Sequence, residues 1–275
     1  MSEVRGMKRF TALLFTLIFC TSLCFTAFAD GGQYAVSPLD ALSEQRFRLM
    51  LALRTSAYIP VSGIMQEPEL PNGCEVTSLA MVLNYYGYDV DKVDLYDNYL
   101  QHEALELTDD DVYIGCDPNL VYVGDARSAT MGFYCFSAPI TKAANLYLTL
   151  NGMHASASNV SGADADELEH MLEHGQPVIV WATIAFEPLR VGQLFTWELA
   201  TGEIYHPYAN LHCVVLKGYD TENYYFSDPL YGEQIVEKAV FLEQYEALGS
   251  QAVVLNAPRG DLPLAKKSKA KTVVF

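Results

Sequence analysis

Asn72-Gly73-Cys74-Glu75-Val76-Thr77-Ser78-Leu79-Ala80-Met81-Val82-Leu83-Asn84-Tyr85-Tyr86-Gly87 is the stretch on which the reading of this 275-residue chain turns. Pro68 and Pro71 break the loop before it. Val76, Leu79, Ala80 and Leu83 then recur at i, i+3, i+4 and i+7, the spacing of one buried helical stripe. Gly87 suits the position just past a helix end. A helix therefore starts at Cys74. The unpaired N–H groups and macrodipole of a helix start favour negative charge, which is what a cysteine needs to become a thiolate. A buried structural cysteine is the plain alternative, but a loop-to-helix junction is an odd place for one.

Two later segments give this cysteine chemical company. A histidine opens the apolar run Leu211-His212-Cys213-Val214-Val215-Leu216, which ends at Gly218-Tyr219-Asp220. Phe226-Ser227-Asp228-Pro229 closes the next strand with an acid. A thiol, an imidazole and a carboxylate are the parts of a nucleophile, its general base and the group that orients the base. Neutral His212 takes the thiol proton, and its imidazolium returns a proton to the leaving group. Asp-Pro also starts turns, and Asp228 can do both. Asp220 is the rival acid, ranked second because it follows Gly218-Tyr219 at what reads as a hairpin turn. Gln66, eight residues before Cys74, offers a side-chain N–H that joins the Cys74 N–H in an oxyanion hole. His170 and His174, at i and i+4, read as a solvated helix face.

The run from Gln66 to Met81, with Asn84-Tyr85-Tyr86-Gly87 after it, resembles the active-site segment of the bacteriocin-processing-peptidase-like family, the double-glycine peptidase relatives among papain-like cysteine peptidases. His212 to Asp220 and Asp228-Pro229-Leu230-Tyr231-Gly232 resemble its histidine and acid segments. Asp117-Pro118-Asn119, Gly175-Gln176-Pro177-Val178 and Gly249-Ser250-Gln251-Ala252-Val253-Val254 are also similar to it. The resemblance runs from about Ile59 to Leu255. It implies a papain-like fold with Cys74 as nucleophile, His212 as base, Asp228 as orienting acid, Gln66 as oxyanion donor, and no cofactor. Double-glycine specificity is not carried over. Those peptidases sit on the cytoplasmic side of an export transporter, whereas this chain is expected to carry a signal peptide and no transporter segment.

Elsewhere, Ser37-Pro38 reads as a helix N-cap and first helical position, with helical spacing to Arg54. Tyr58 to Gly63 reads as extended. Residues 88–139 mix acids, aromatics, Gly and Pro with no sustained period, and read as an irregular lobe with short helices near 91–101. Thr141 to Leu150 reads as a helix. Asp164, with Glu167 three positions on, is a capping box for another that Gly175 ends. Pro177 to Ile184 is nearly all apolar, as in a strand buried on both faces. Tyr224 to Phe226 and Ala252 to Leu255 add strands. Helices first and a mostly antiparallel sheet later is an α+β pattern. The expected organisation is a signal peptide over 1–29, a helical extension over 30–57, the papain-like domain over 58–257 and a basic tail over 258–275.

Arg5, Lys8 and Arg9 precede an apolar run from Phe10 to Phe25 and the small-x-small tripeptide Ala27-Phe28-Ala29. Cleavage after Ala29 is expected, giving a secreted or cell-surface protein with no stable membrane insertion; a retained anchor is the alternative. With 17 basic against 34 acidic residues, nucleic acid and anionic membranes are poor partners. Cys74, Cys116, Cys135 and Cys213 lack metal-ligand spacing, so no zinc site is expected. Cys116 and Cys135 fit a disulfide and two buried thiols equally, while strand alternation turns Cys213 into the core. Trp197 reads as core and Tyr208 as a groove residue. The expected function is a cysteine peptidase acting on a peptide or protein substrate, wall-associated ones included, through a Cys74 acyl-enzyme. A thiol amidase or acyltransferase would use the same residues. An inactive papain-like fold that binds peptide or wall is the alternative from another class.

Overall fold

A computed structural model describes Leu42 and residues 56–257 apart from 193 and 194. The expected signal peptide, nearly all of the helical extension and the basic tail lie outside the described residues. The chain divides into two units, Met1–Arg54 and Thr55–Phe275, and the second holds the sheet and the candidate site. Among the described residues no helix is long and apolar enough to cross a membrane.

Seven strands form the main sheet: β1 (Ala57–Tyr58), β2 (Ser156–Asn159), β3 (Val178–Thr183), β4 (Leu211–Tyr219), β5 (Asn223–Asp228), β6 (Gly232–Glu237) and β7 (Ala252–Asn256). Their order is β6-β5-β4-β3-β7-β2, with β1 paired to the end of β4, and every pairing is antiparallel. All residues of β3 and β4 are buried, which is why those runs are apolar without alternation. Trp181 on β3 and Phe226 on β5 are fully buried. Each such side chain stabilises the fold by about 1.5–3 kcal/mol. The register then does chemical work. Val215 pairs with Ser227, so one step further Val214 stands opposite Asp228. His212, two residues along, lies on that same face.

Among the described residues, five helices pack on and around the sheet: α1 (Cys74–Tyr85), α2 (Lys92–Asn98), α3 (Ser137–Leu150), α4 (Ala165–Glu173) and α5 (Lys238–Ala247). α1 differs from the expected striped helix. Every residue from Cys74 to Leu83 is buried, because β3 and β4 cover one side while α2 and α3 cover others. α3 starts at Ser137, earlier than Thr141. The Asp164–Glu167 capping box forms, and it opens α4. Asp91 caps α2 through its side chain, which accepts from the N–H groups of Val93 and Asp94. The lobe over 88–139 holds α2, where a short helix was expected, and then two-residue strands, one pair joining His102–Glu103 to Tyr122–Val123. Trp197 is core, as expected, and its indole N–H donates to the Cys116 carbonyl at 3.0 Å.

Gly73 caps α1 because nothing larger fits. A Cβ there would lie 2.6 Å from the Leu70 Cβ, and Leu70 is fully buried. Gly73→Ala is therefore expected to cost about 1–3 kcal/mol through overpacking. In a domain of this size that lowers the melting temperature by roughly 2–12 °C. An unchanged thermal melt would mean that the 70–73 turn yields freely.

Candidate active site

The turn before α1 is held from several sides. The Asn72 N–H donates to Ala126 O (3.0 Å), the Asn72 amide to Ser128 O (2.6 Å), and the buried Tyr122 hydroxyl to Asn72 O (2.8 Å). This fixes the start of the helix, with Cys74 as its first residue and almost wholly buried. Ser78, one turn on, donates to Cys213 O at 3.2 Å and ties α1 to β4. α1 packs along β4 over this stretch. The helix that starts with Cys74 thus lies against the strand that carries His212.

His212 and Asp228 meet as the register requires. His212 Nε2 lies 2.8 Å from Asp228 Oδ1, and both side chains are buried. The same Oδ1 accepts from Leu230 N (2.7 Å) and Tyr231 N (3.2 Å), so Asp228 shapes the Asp-Pro turn and holds the ring at once. Nε2 is the donor of the pair, since a carboxylate accepts. That leaves Nδ1 as the ring nitrogen with a lone pair.

Gln66 is buried in the loop before α1. Its amide donates to Pro71 O, and its own N–H donates to Pro229 O at 2.8 Å, which links the glutamine loop to the Asp228 turn. The amide has a second N–H to offer. The Cys74 thiol donates its hydrogen bond to Glu75 Oε2 at 3.4 Å, and among the described residues it has none to His212. Such contacts are often incomplete before substrate binds. Burial, first of all, and then the facing Glu75 carboxyl push the Cys74 thiol well above the ordinary thiol range. Glu75 is itself fully buried, with Oε1 accepting from Cys135 N at 3.0 Å, and burial raises its carboxyl to about 7.

The sequence matches the model of the Peptidase_C39 like family over residues 58–253. The chain belongs to this family. It is 37% identical over 192 residues to YvpB, an uncharacterised protein of Bacillus subtilis (strain 168), covering 70% of this chain and 72% of that one. A crystal structure from Bacillus anthracis, described as a C39-like peptidase, is similar at a TM-score of 0.63 and 32% identity. It covers 74% of this chain and 98% of its own. With the topology above, this makes the fold the expected papain-like α+β fold.

Within this C39-like domain, Asp220 stands apart from the histidine. It caps its hairpin turn, accepting from Glu222 N, Asn223 N and the Tyr225 hydroxyl, and these bonds, the Tyr225 one foremost, lower its carboxyl to about 2. Cys116 and Cys135 are free thiols, so of the two readings the unbonded one is correct; Cys135 is buried and Cys116 is partly exposed beside Glu103 (2.7 Å). Cys213 is buried in the core, as strand alternation required.

Two residues at the site escaped sequence reading. One is Glu75, which at the second position of a helix reads as a solvated dipole partner. The other is Lys92, nearly buried, whose ammonium donates to the carbonyls of Met65 and Gln66 (2.7 Å to the latter) and pairs with Glu69 at 2.9 Å. Lys92→Met leaves the Met65 carbonyl without a donor and the Gln66 carbonyl with the Leu70 N–H alone, at a cost of about 1–3 kcal/mol. A lower melting temperature and faster hydrogen exchange over 66–70 are expected; unchanged exchange there would show that the loop is held by other bonds.

Proposed function

We propose that this chain is a cysteine peptidase acting outside the cytoplasm, with Cys74 as nucleophile, His212 as general base and acid, and Asp228 as the residue that orients His212. The observation that carries this reading is the buried His212–Asp228 pair, its Nδ1 left as acceptor, on the strand against which the helix starting at Cys74 packs. The thiol proton passes to Nδ1 as sulphur attacks the substrate carbonyl. Negative charge then gathers on the carbonyl oxygen, where the Cys74 N–H and the free N–H of the Gln66 amide receive it. Collapse of the adduct breaks the C–N bond, and the imidazolium gives its proton to the amine. Water, deprotonated by His212, releases the acyl group and restores the thiol. The Ala27-Phe28-Ala29 tripeptide after an apolar run supports export, and the mature N-terminus of secreted protein tests it.

One observation favours a second reading, a peptide-binding fold without turnover: the buried thiol rests on a carboxyl rather than on the imidazole. Incubation with a mixture of synthetic peptides, read by mass spectrometry for cleavage and for acyl mass on Cys74, separates the two. Cleavage that vanishes in Cys74→Ala, with an acyl adduct in the unaltered protein, supports the peptidase. Equal cleavage in both proteins, or none in either, sinks it. Peptide binding without cleavage supports the second reading.

A further inference from the structure

A pocket of about 420 Å³ opens beside the site, within the roughly 300–1,000 Å³ range of ligand-binding clefts. Asn72, two residues before Cys74, forms one wall, and Leu211, the residue before His212, forms another. Phe133, Ile184, Phe195 and Tyr208 line it further, with the polar groups of Thr130 and Tyr134 beside them. No lining residue carries a charge, although the chain holds 34 acidic and 17 basic residues. The walls are also braced. Phe133 stacks on Phe195 with centroids 5.2 Å apart, and the Tyr208 N–H donates to the Tyr134 hydroxyl at 2.8 Å.

We infer that this pocket receives a bulky apolar side chain, aromatic or branched aliphatic, from the peptide whose backbone reaches Cys74. The inference rests on the peptidase reading and names what that site selects. Continuity decides the occupant, because the pocket shares its walls with the two segments that carry the thiol and the imidazole. An apolar side chain there loses water against Phe133, Ile184 and Tyr208. A carboxylate or ammonium would lose its hydration with no partner of opposite charge. Glycine would leave the pocket unfilled.

The test compares unaltered protein with Ile184→Lys and with the milder rim variant Thr130→Lys, each checked by thermal melt. A peptide mixture that varies every position around the cut is read by mass spectrometry. The expected result is a preference of about tenfold or more for Phe, Tyr, Leu or Met over Gly and Asp at one position next to the cut, the scale an apolar pocket can impose. In at least one lysine variant that preference falls and Asp is accepted. Cleavage with no apolar preference, or a preference that both variants keep, overturns the pocket while leaving the peptidase standing. Where nothing is cleaved, binding of acetylated pentapeptides with central Phe, Gly or Asp to the Cys74→Ala protein decides. Tighter binding of the Phe peptide by about tenfold supports the pocket without turnover; equal binding overturns it.

Discussion

Alanine in place of His212 is expected to lower kcat/KM for peptide cleavage by about 10²–10⁴-fold, the range that general acid–base catalysis contributes. Binding of the same peptide is expected to hold, since the imidazole acts on the proton rather than on the ground-state peptide. The partner substitution makes the test sharper. Asp228 spends one oxygen, Oδ1, on His212, Leu230 and Tyr231, while Oδ2 is buried without a partner. In Asp228→Asn the amide oxygen keeps all three bonds and the NH₂ group takes the place of Oδ2. Activity is therefore expected to stay within about tenfold, with a stability loss of roughly 1–3 kcal/mol for the unpaired amine. Asp228→Ala frees the ring and is expected to approach His212→Ala. An asparagine variant as slow as the alanine variant would mean that His212 needs the negative charge, not the hydrogen bond. A fully active His212→Ala protein would remove the base assignment altogether.

What sequence made legible here was local, and what it hid was contact between distant segments. The start of α1, the Asp164–Glu167 box, the all-apolar β3 and the His212 strand each carry their signal within a short window. Asp228 was readable because Asp-Pro closes a strand. β6 was not, since Gly232–Glu237 is an edge strand with alternate residues in water and acids at both Glu233 and Glu237. β2 is four small or polar residues at the opposite edge, and it is a strand only because β7 pairs with it. α1, buried from Cys74 to Leu83, was read as a stripe because its polar positions, Glu75, Thr77 and Ser78, look like a solvent face. They are instead buried under the lobe and against the sheet. Lys92 hid for the same reason: its charge ends among carbonyls of a loop far back in the chain.

Glu75→Gln is expected to stabilise the protein above pH 7 and to let Cys74 ionise at lower pH. The groups facing this carboxyl are Cys74 from α1, Cys135 from the lobe, Cys213 from β4 and the Tyr122 hydroxyl, each feeling its charge. None of them is a cation. Burial raises Glu75 from 4.5 to about 7, so between those values the folded chain holds a proton that the unfolded chain has released. The sign follows: this group costs nothing below pH 4.5, and stability falls as pH rises through 7, by about 3 kcal/mol in all. Glutamine keeps the geometry, its oxygen accepting from Cys135 N and its amine facing the Cys74 sulphur, and it does not titrate. Denaturant melts from pH 4.5 to 8 are therefore expected to slope downward for the unaltered protein and to flatten for the variant. The thiol reports the same charge from the other side. As Glu75 ionises it opposes the thiolate beside it, so the iodoacetamide rate of the unaltered protein climbs slowly above pH 7. In Glu75→Gln that brake is gone and the profile moves to lower pH, with burial still holding it above an ordinary thiol. Two superimposable alkylation profiles would show that the Glu75 charge does not reach the sulphur, and the 3.4 Å contact would then be packing alone.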